Sequence, residues 1–252
     1  MTQCATPRRQ GSYGIDAPYW VAFVVVVTAF NVVSAVLNAI DGRLWPIAPA
    51  VFLLALTNSV LYTTLRGKFV IWADLLDQLN LRGDERILDL GYGRGAVLLM
   101  AAQRLTTGRA VGVDLWKRGD QSGNAAVATQ RNAVAEGVAD RGELHTADMT
   151  ALPLADDGFD LVLSSLAIHN SHGRVGRDKA IDEAARVLRP GGRLAIADIR
   201  GTRQYRTRLI QIGMSNVVRR RLGWRFWWGG PWAAVHLVTA VKPEGRKEKA
   251  PS

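Results

Sequence analysis

The stretch Arg86–Ala102, RILDLGYGRGAVLLMAA, decides the fold. Ile87-Leu88-Asp89-Leu90 is a short apolar run of the kind that forms a buried parallel strand. Three glycines follow at alternate positions, Gly91, Gly93 and Gly95, and then an apolar helical pattern from Ala96 to Ala102. Strand, glycine turn and helix form the first crossover of a nucleotide-binding sheet. Glycine lets the backbone approach a ligand where a Cβ would clash, and the helix start offers free N–H groups to a carboxylate or phosphate. Gly91-x-Gly93-x-x-Ala96 loosely fits a dinucleotide fingerprint, so this stretch alone does not choose the ligand.

Downstream the pattern of strand and helix repeats. Apolar runs predict strands at Ala110–Val113, Glu143–Thr146, Phe159–Leu166 and Arg193–Ala197. Helices are predicted between them over about 124–137 and 177–188, the second stopped by Pro190-Gly191-Gly192. After a short helix over about 204–212, strands at Asn216–Leu222 and Ala234–Val241 flank the aromatic turn LGWRFWWGGPW. Such alternation implies an α/β fold, a parallel sheet covered by helices on both faces. Asp114 closes the second strand, where a carboxylate can accept both ribose hydroxyls of a nucleoside. Nicotinamide enzymes share that arrangement, so it too leaves the cofactor open.

Four motifs in order carry a resemblance. Asp89 followed by G-x-G-x-G resembles motif I of the class I S-adenosylmethionine (SAM) methyltransferases. Asp148-Met149 with Leu152-Pro153-Leu154 resembles the stretch in which, in that family, an Asp receives the adenine amino group. Asp156-Asp157-Gly158-Phe159-Asp160 and LVLSSLAIHN resemble motif IV, whose strand end passes the methionine part of SAM. Ala185–Leu194, ARVLRPGGRL, is similar to the turn leading into the fifth strand. The resemblance covers about 79–242 and is nearest to the quinone-biosynthesis branch. It implies a Rossmann-like, mostly parallel sheet closed by an antiparallel hairpin, with SAM as cofactor. It implies cofactor contacts at Asp89, Gly91, Gly93, Gly95, Asp114, Asp148, Met149, Ser164 and Ser165.

The loop after Asp114, Leu-Trp-Lys-Arg-Gly-Asp-Gln-Ser-Gly-Asn124, is longer and more polar than the family's usual one. Leu115 and Trp116 are expected at the cofactor, with Trp116 able to stack on adenine. Asp120, Gln121 and Ser122 are candidates for cofactor contact or a lid, and Asn124 for a helix N-cap.

Methyl transfer from a sulfonium is an in-line displacement, so the enzyme mainly aligns the reacting atoms. A base matters when the acceptor has a proton to lose. His169 and His172 follow the fourth strand, on the expected acceptor side, and His169 is the candidate base. Asn170 is a candidate for orienting cofactor or acceptor, and Asp198, ending the fifth strand, faces the same side. His145 reads as structural. No His, Asp or Glu grouping has metal-ligand spacing, so no metal is expected.

Ahead of this domain lie two uncharged runs of 22 residues, Tyr19–Ile40 and Leu44–Leu65, joined by Asp41-Gly42-Arg43. Each spans roughly 33 Å as a helix, enough to cross a bilayer core. Aromatic residues Tyr19, Trp20, Trp45 and Tyr62 stand near the ends, and Asn31, Ser34, Asn38 and Asn58 are candidates for hydrogen bonds between the helices. Residues 1–18 read as a mobile tail, 66–82 as an amphipathic linker helix, 83–243 as the methyltransferase-like domain and 244–252 as a charged tail. Arg8, Arg9, Arg66 and Lys68 flank the hairpin, so the positive-inside rule places both termini and the domain in the cytoplasm, at the inner membrane.

The chain has 252 residues, a net charge of +10 and one cysteine, Cys4, which excludes a disulfide framework. No Asp or Glu occurs from Ile199 to Pro243, while eight arginines fall between Arg200 and Arg225. Without a nucleic-acid-binding module, that basic stretch points to acidic head groups rather than to nucleic acid. Trp224, Phe226, Trp227, Trp228 and Trp232 are expected to wall an apolar pocket or meet the membrane interface. The whole reads as a membrane-anchored SAM-dependent methyltransferase acting on a small or lipophilic acceptor. The lipid bilayer is its expected partner, and self-association through the hairpin is open. The alternatives are a non-catalytic SAM-binding membrane sensor and a nicotinamide-dependent reductase, and the Asp148-Met149 stretch speaks against the reductase.

Overall fold

The computed structural model describes residues 9–116 and 125–244. Asp120, Gln121, Ser122 and Asn124 lie outside the described residues.

Seven strands form one sheet in the order β3-β2-β1-β4-β5-β7-β6. They are β1 (Arg86–Leu90), β2 (Arg109–Asp114), β3 (Gly142–Thr146), β4 (Phe159–Ser165), β5 (Leu188–Asp198), β6 (Ser215–Arg221) and β7 (His236–Val241). The first five pair in parallel, while β7 runs antiparallel to both β5 and β6. This is the mostly parallel, hairpin-closed, Rossmann-like sheet that the motif order implies. One face packs on Trp72, Leu76, Leu98 and Leu105, the other on Ile181, Ala184, Tyr205 and Leu209, all almost wholly buried. The central strands are apolar on both faces because helices cover both.

Two boundaries differ from the sequence reading for physical reasons. The strand expected from Arg193 begins at Leu188, since Phe159 pairs with Leu188 and Leu161 with Arg193. Residues 189–192, the Arg-Pro-Gly-Gly stretch, therefore bulge out opposite Asp160 instead of separating helix from strand. Helix α6 starts at Gly173, earlier than its apolar periodicity suggests, because its first turns are solvent-facing.

At the N-terminal end α1 (Pro18–Ile40) folds back on α2 (Ile47–Tyr62). A π-helical turn, Thr63–Gly67, carries α2 without a break into α3 (Lys68–Gln78). The second span and the linker helix, read as separate elements, are thus one helix of 32 residues. Both helices are long and apolar enough to cross a membrane, and only 22% of each apolar window is buried. Between the helices the Thr28 hydroxyl meets the Thr57 hydroxyl at 2.7 Å and lies 3.4 Å from the Leu53 carbonyl. Asn31, Asn38 and Asn58 do not bridge the helices; each donates to the carbonyl four residues back in its own helix.

Arg9–Ala17, the described part of the expected tail, is tied down. Gln10 and Gly11 donate their backbone N–H to Glu136, Ser12 donates its own to Asn132, and the Tyr13 hydroxyl also reaches Glu136. Further on, Asp16 accepts from Thr64 and from Lys68, the latter at 2.6 Å. The segment forms a strap from α5 (Ala126–Ala135) and its C-terminal Glu136 to the base of the hairpin.

Candidate active site

A crevice of about 550 Å³ opens at the carboxyl ends of β1, β2, β3 and β4. It lies where the strand order reverses on either side of β1, the position at which open α/β sheets bind ligands. The β1 turn is held close to the end of β4: Gly91 has φ +74°, and a Cβ there would run into Ala167. That approach, together with left-handed Gly93 and Gly95, explains the three alternating glycines.

Asp89 is 1% exposed and lines the crevice, and neither carboxylate oxygen has a well-formed hydrogen bond among the described residues; the Leu98 backbone N–H is close enough only to favour the charged form weakly. Burial, with the nearby charge of Asp114, pushes its pKa up to about 8. A buried carboxylate without donors is costly unless something supplies them. Asp114 is braced differently: Gly93 N–H donates to one oxygen at 2.8 Å and Trp116 N–H to the other at 2.6 Å. Asp148 takes the Thr150 N–H and hydroxyl on one oxygen, both at 2.8 Å, and Met149 beside it lines the crevice. Ser165 and Asn170 line it at the end of β4, and Leu115 at the end of β2.

Other expected residues lie elsewhere. Ser164 is fully buried and donates to the Leu90 carbonyl, tying β4 to β1. Gly95 opens helix α4 (Ala96–Ala102) against Thr129 and Leu99. Trp116 does not line the crevice. Its ring meets Tyr92 edge-on at 4.9 Å and its indole N–H donates to Thr146. His169 and Asp198 are not among the crevice walls; they pair with each other through His169 Nδ1, which leaves Nε2 without that contact. Asp198 is wholly buried and accepts from His169 Nδ1 at 2.6 Å, the His169 and Ile199 backbone N–H groups, and the Tyr205 hydroxyl. The carboxylate can only accept, so Nδ1 carries the proton. His172, three residues on, is the imidazole that lines the crevice.

None of the Trp-rich residues lines the crevice, so the pocket-wall reading does not hold. Trp224 is stacked on Tyr62 and Trp232 lies beside Phe52, both on α2, while Phe226 is buried in the core with Trp72 and Leu98 and Trp228 packs against it. His145 reaches Glu143 on the edge strand β3.

The opposite wall holds residues that no sequence motif singles out. Asp16 and Lys68 form a buried ion pair there, and α6 (Gly173–Val187) contributes Val175 and Lys179. Asp16 sits just before an apolar helix and Lys68 just after one, so each reads as a flanking charge in the sequence.

The fit to SAM is chemical. Asp89 would offer its carboxylate to an ammonium, Asp114 would accept from a ribose at the second strand, and Asp148-Met149 stand at the adenine position implied by the motif. Four aspartates, Asp16, Asp89, Asp114 and Asp148, border the crevice together with Lys68, which is paired to Asp16, and Lys179.

Comparison with known proteins agrees. The "Methyltransferase domain" family matches residues 88–196. The chain is 38% identical over 130 residues to the methyltransferase GfsG of Streptomyces halstedii, covering 51% of this chain and 43% of that protein. It is 34% identical over 130 residues to the ubiquinone/menaquinone biosynthesis C-methyltransferase UbiE of Roseobacter denitrificans, covering 51% and 48%. The chain thus spans about half the length of these curated relatives. Among solved structures, geranyl diphosphate methyltransferase in complex with SAM superposes with a TM-score of 0.53 at 17% identity, over 69% of this chain and 85% of that one, which shows the shared fold. The hairpin-closed sheet, the motif order and the acidic crevice converge with these matches: the chain carries a class I SAM-dependent methyltransferase domain, with SAM as its cofactor.

Proposed function

We propose that the chain is a membrane-anchored methyltransferase that modifies a small or lipophilic acceptor at the cytoplasmic face of the membrane. The observation that carries this is the continuous helix Ile47–Gln78. Its first half belongs to the exposed apolar hairpin, and Lys68, one turn past the last apolar residues, is a wall of the crevice. An apolar surface that includes Phe23, Val26, Phe30, Val33, Leu37 and Ile40, each more than half exposed, is far beyond what water tolerates on a monomer. A hairpin in the bilayer would place the crevice immediately beneath it. The name of the UbiE relative associates this kind of domain with lipid-soluble quinones.

Bound SAM supplies a methyl group already activated on a sulfonium. The work left to the chain is holding and aligning. Asp89 would accept the ammonium of the amino-acid tail and Asp114 the ribose. Leu166, Ala167 and Asn170 at the end of β4 border the space beside them. The acceptor would lie toward Asp16, Lys68, His172, Val175 and Lys179. There the His172 imidazole is placed to take a proton from a hydroxyl or phenol, while His169 holds the β4 turn to Asp198.

The test uses the full chain in native membranes with methyl-labelled SAM and a membrane-lipid extract. Label should appear in a lipid-soluble product, and His172→Gln should lower kcat while calorimetric SAM binding persists. Label entering only water-soluble acceptors, or a protein released from membranes by alkaline washing, would overturn the reading. A protein that binds SAM yet labels no acceptor would favour the sensor alternative.

A further inference from the structure

The aromatic loop between β6 and β7 continues the apolar surface of the hairpin. Phe226–Val235, FWWGGPWAAV, holds no charge and is bounded by Arg225 and His236. The loop is fastened to the helix beside it. The Trp227 carbonyl accepts the Ser59 and Thr63 hydroxyls at 3.1 and 2.6 Å. Gly229 lies against Leu56 and Val60, and the Trp232 ring is 6.2 Å from that of Phe52. At the lower end Gly67 lies so close to the Arg225 carbonyl that a Cβ would collide with it.

These contacts fix a common level. Arg66, Lys68 and Arg225 stand together at the base of α2, and above them both helix and loop are uncharged. From Gly67 to Leu56 the helix rises roughly 16 Å, and to Phe52 roughly 22 Å. A bilayer core is about 30 Å thick. If α2 crosses it, the loop beside Leu56 reaches about half its depth.

Irregular backbone survives at that depth only where its polar groups are satisfied within the protein. Part of this loop's backbone meets that demand, while the Trp228 indole N–H is buried without a partner among the described residues. Trp228 N–H donates to Ala233, Ala233 N–H to Gly230, Val235 N–H to Phe226 and Trp227 N–H to Trp224. Pro231 has no N–H to satisfy. Gly229 and Gly230 are buried, whereas Trp232 is 66% exposed and faces outward. Just below, Arg219 and Arg203 crowd each other and Arg221, and their mutual repulsion with burial lowers the Arg219 pKa. No acidic residue lies between Ile199 and Pro243 to offset them. Cations collected at the rim of an uncharged segment match anionic head groups at the rim of a hydrocarbon layer.

We propose that the tip of this loop, Trp227–Ala234, whose flanking Phe226 and Val235 are buried in the core of the domain, is a third membrane-embedded element, a re-entrant loop docked on α2, whose partner is an anionic lipid bilayer. Trp232 contacts acyl chains, and the exposed Arg221 and Arg225 contact the head groups. The inference rests on the hairpin being in the membrane, and the experiment separates the two.

In a Cys4→Ser background, Trp232→Cys, Phe30→Cys and Arg174→Cys are each labelled with a polarity-sensitive fluorophore. The full chain is reconstituted into phosphatidylcholine–phosphatidylglycerol vesicles carrying brominated acyl chains. The labels at positions 232 and 30 should be quenched and blue-shifted, and the label at position 174 should not. Replacing Arg221 and Arg225 by Gln should abolish the difference in quenching at position 232 between mixed and pure phosphatidylcholine vesicles. Should Trp232→Cys fail to fold, judged by SAM binding, Pro231→Cys reports the same level. Quenching at position 30 but not at 232 overturns the loop and leaves the anchor standing. Quenching at neither position overturns both.

Discussion

Asp89 and Asp198 are both buried aspartates at the carboxyl ends of strands in one sheet, and their surroundings are opposite. Asp198 is surrounded by four donors: two from His169, one from Ile199 and one from Tyr205. Asp89 has no well-formed bond among the described residues, only the weak influence of the Leu98 N–H, and burial pushes its pKa up to about 8. A carboxylate whose donors are all built in is finished when the chain folds; it holds the β4 turn and β5 together. A carboxylate with no donors is finished only by a ligand. The difference separates a residue that positions from one that binds, although the sequence shows both simply as an Asp near a strand end.

The largest expected effect is on the satisfied member. Asp198→Ala would strand the Tyr205 hydroxyl, the His169 ring and two backbone N–H groups, costing about 4 kcal/mol in urea unfolding of the detergent-solubilised chain. Asp89→Asn should do the reverse, keeping the fold and weakening SAM binding about 100-fold by calorimetry, as loss of a charge-assisted bond of about 3 kcal/mol would. If Asp89→Asn unfolds the chain and Asp198→Ala merely loosens SAM, the assignment of roles is inverted.

The raised pKa of Asp89 gives two further effects with definite signs. Below about 8 the free carboxyl is protonated, and pairing with an ammonium requires it to lose that proton. SAM affinity should therefore rise up to about tenfold per pH unit until roughly pH 8, then fall as the ligand's own α-amino group deprotonates. Asp89→Asn should remove the rising limb. For the ligand-free protein, the folded pKa lies above the unfolded value of about 3.9, so the folded state holds the extra proton between the two. Stability should decline as pH rises from about 4 to about 8, and in Asp89→Asn that contribution should vanish. The smallest effect is Tyr205→Phe, which removes one of four donors to Asp198 and should cost about 1 kcal/mol in the same unfolding assay.

The parallel sheet was legible because its cause is local. A buried strand, a turn that only glycine can make, and a helix start are all written in consecutive residues. Asp89, Asp114 and Asp148 were legible for the same reason, each closing its own strand. The partner of His169 was not legible, because sequence position locates a residue at a strand end but not the direction of its side chain. Its contact with Asp198 comes from a strand 29 residues away. Asp16 and Lys68 carried no signal at all, since a charge beside an apolar helix has an adequate explanation in the helix alone. The aromatic run was visible, but its seat on α2 depends on Gly67, whose missing side chain says nothing until Arg225 is seen beside it.

The strap has a mechanical consequence. From Gln10 to Tyr13 it is moored to Glu136 and Asn132 on the far side of the cofactor turn, at Asp16 it forms part of the crevice wall, and two residues later it becomes α1. The first helix cannot slide along its axis or tilt at its base without pulling on that wall. With the hairpin in a bilayer, as proposed, lateral pressure or thickness changes in the lipid would be transmitted, through one short covalent lever, to the crevice wall at Asp16.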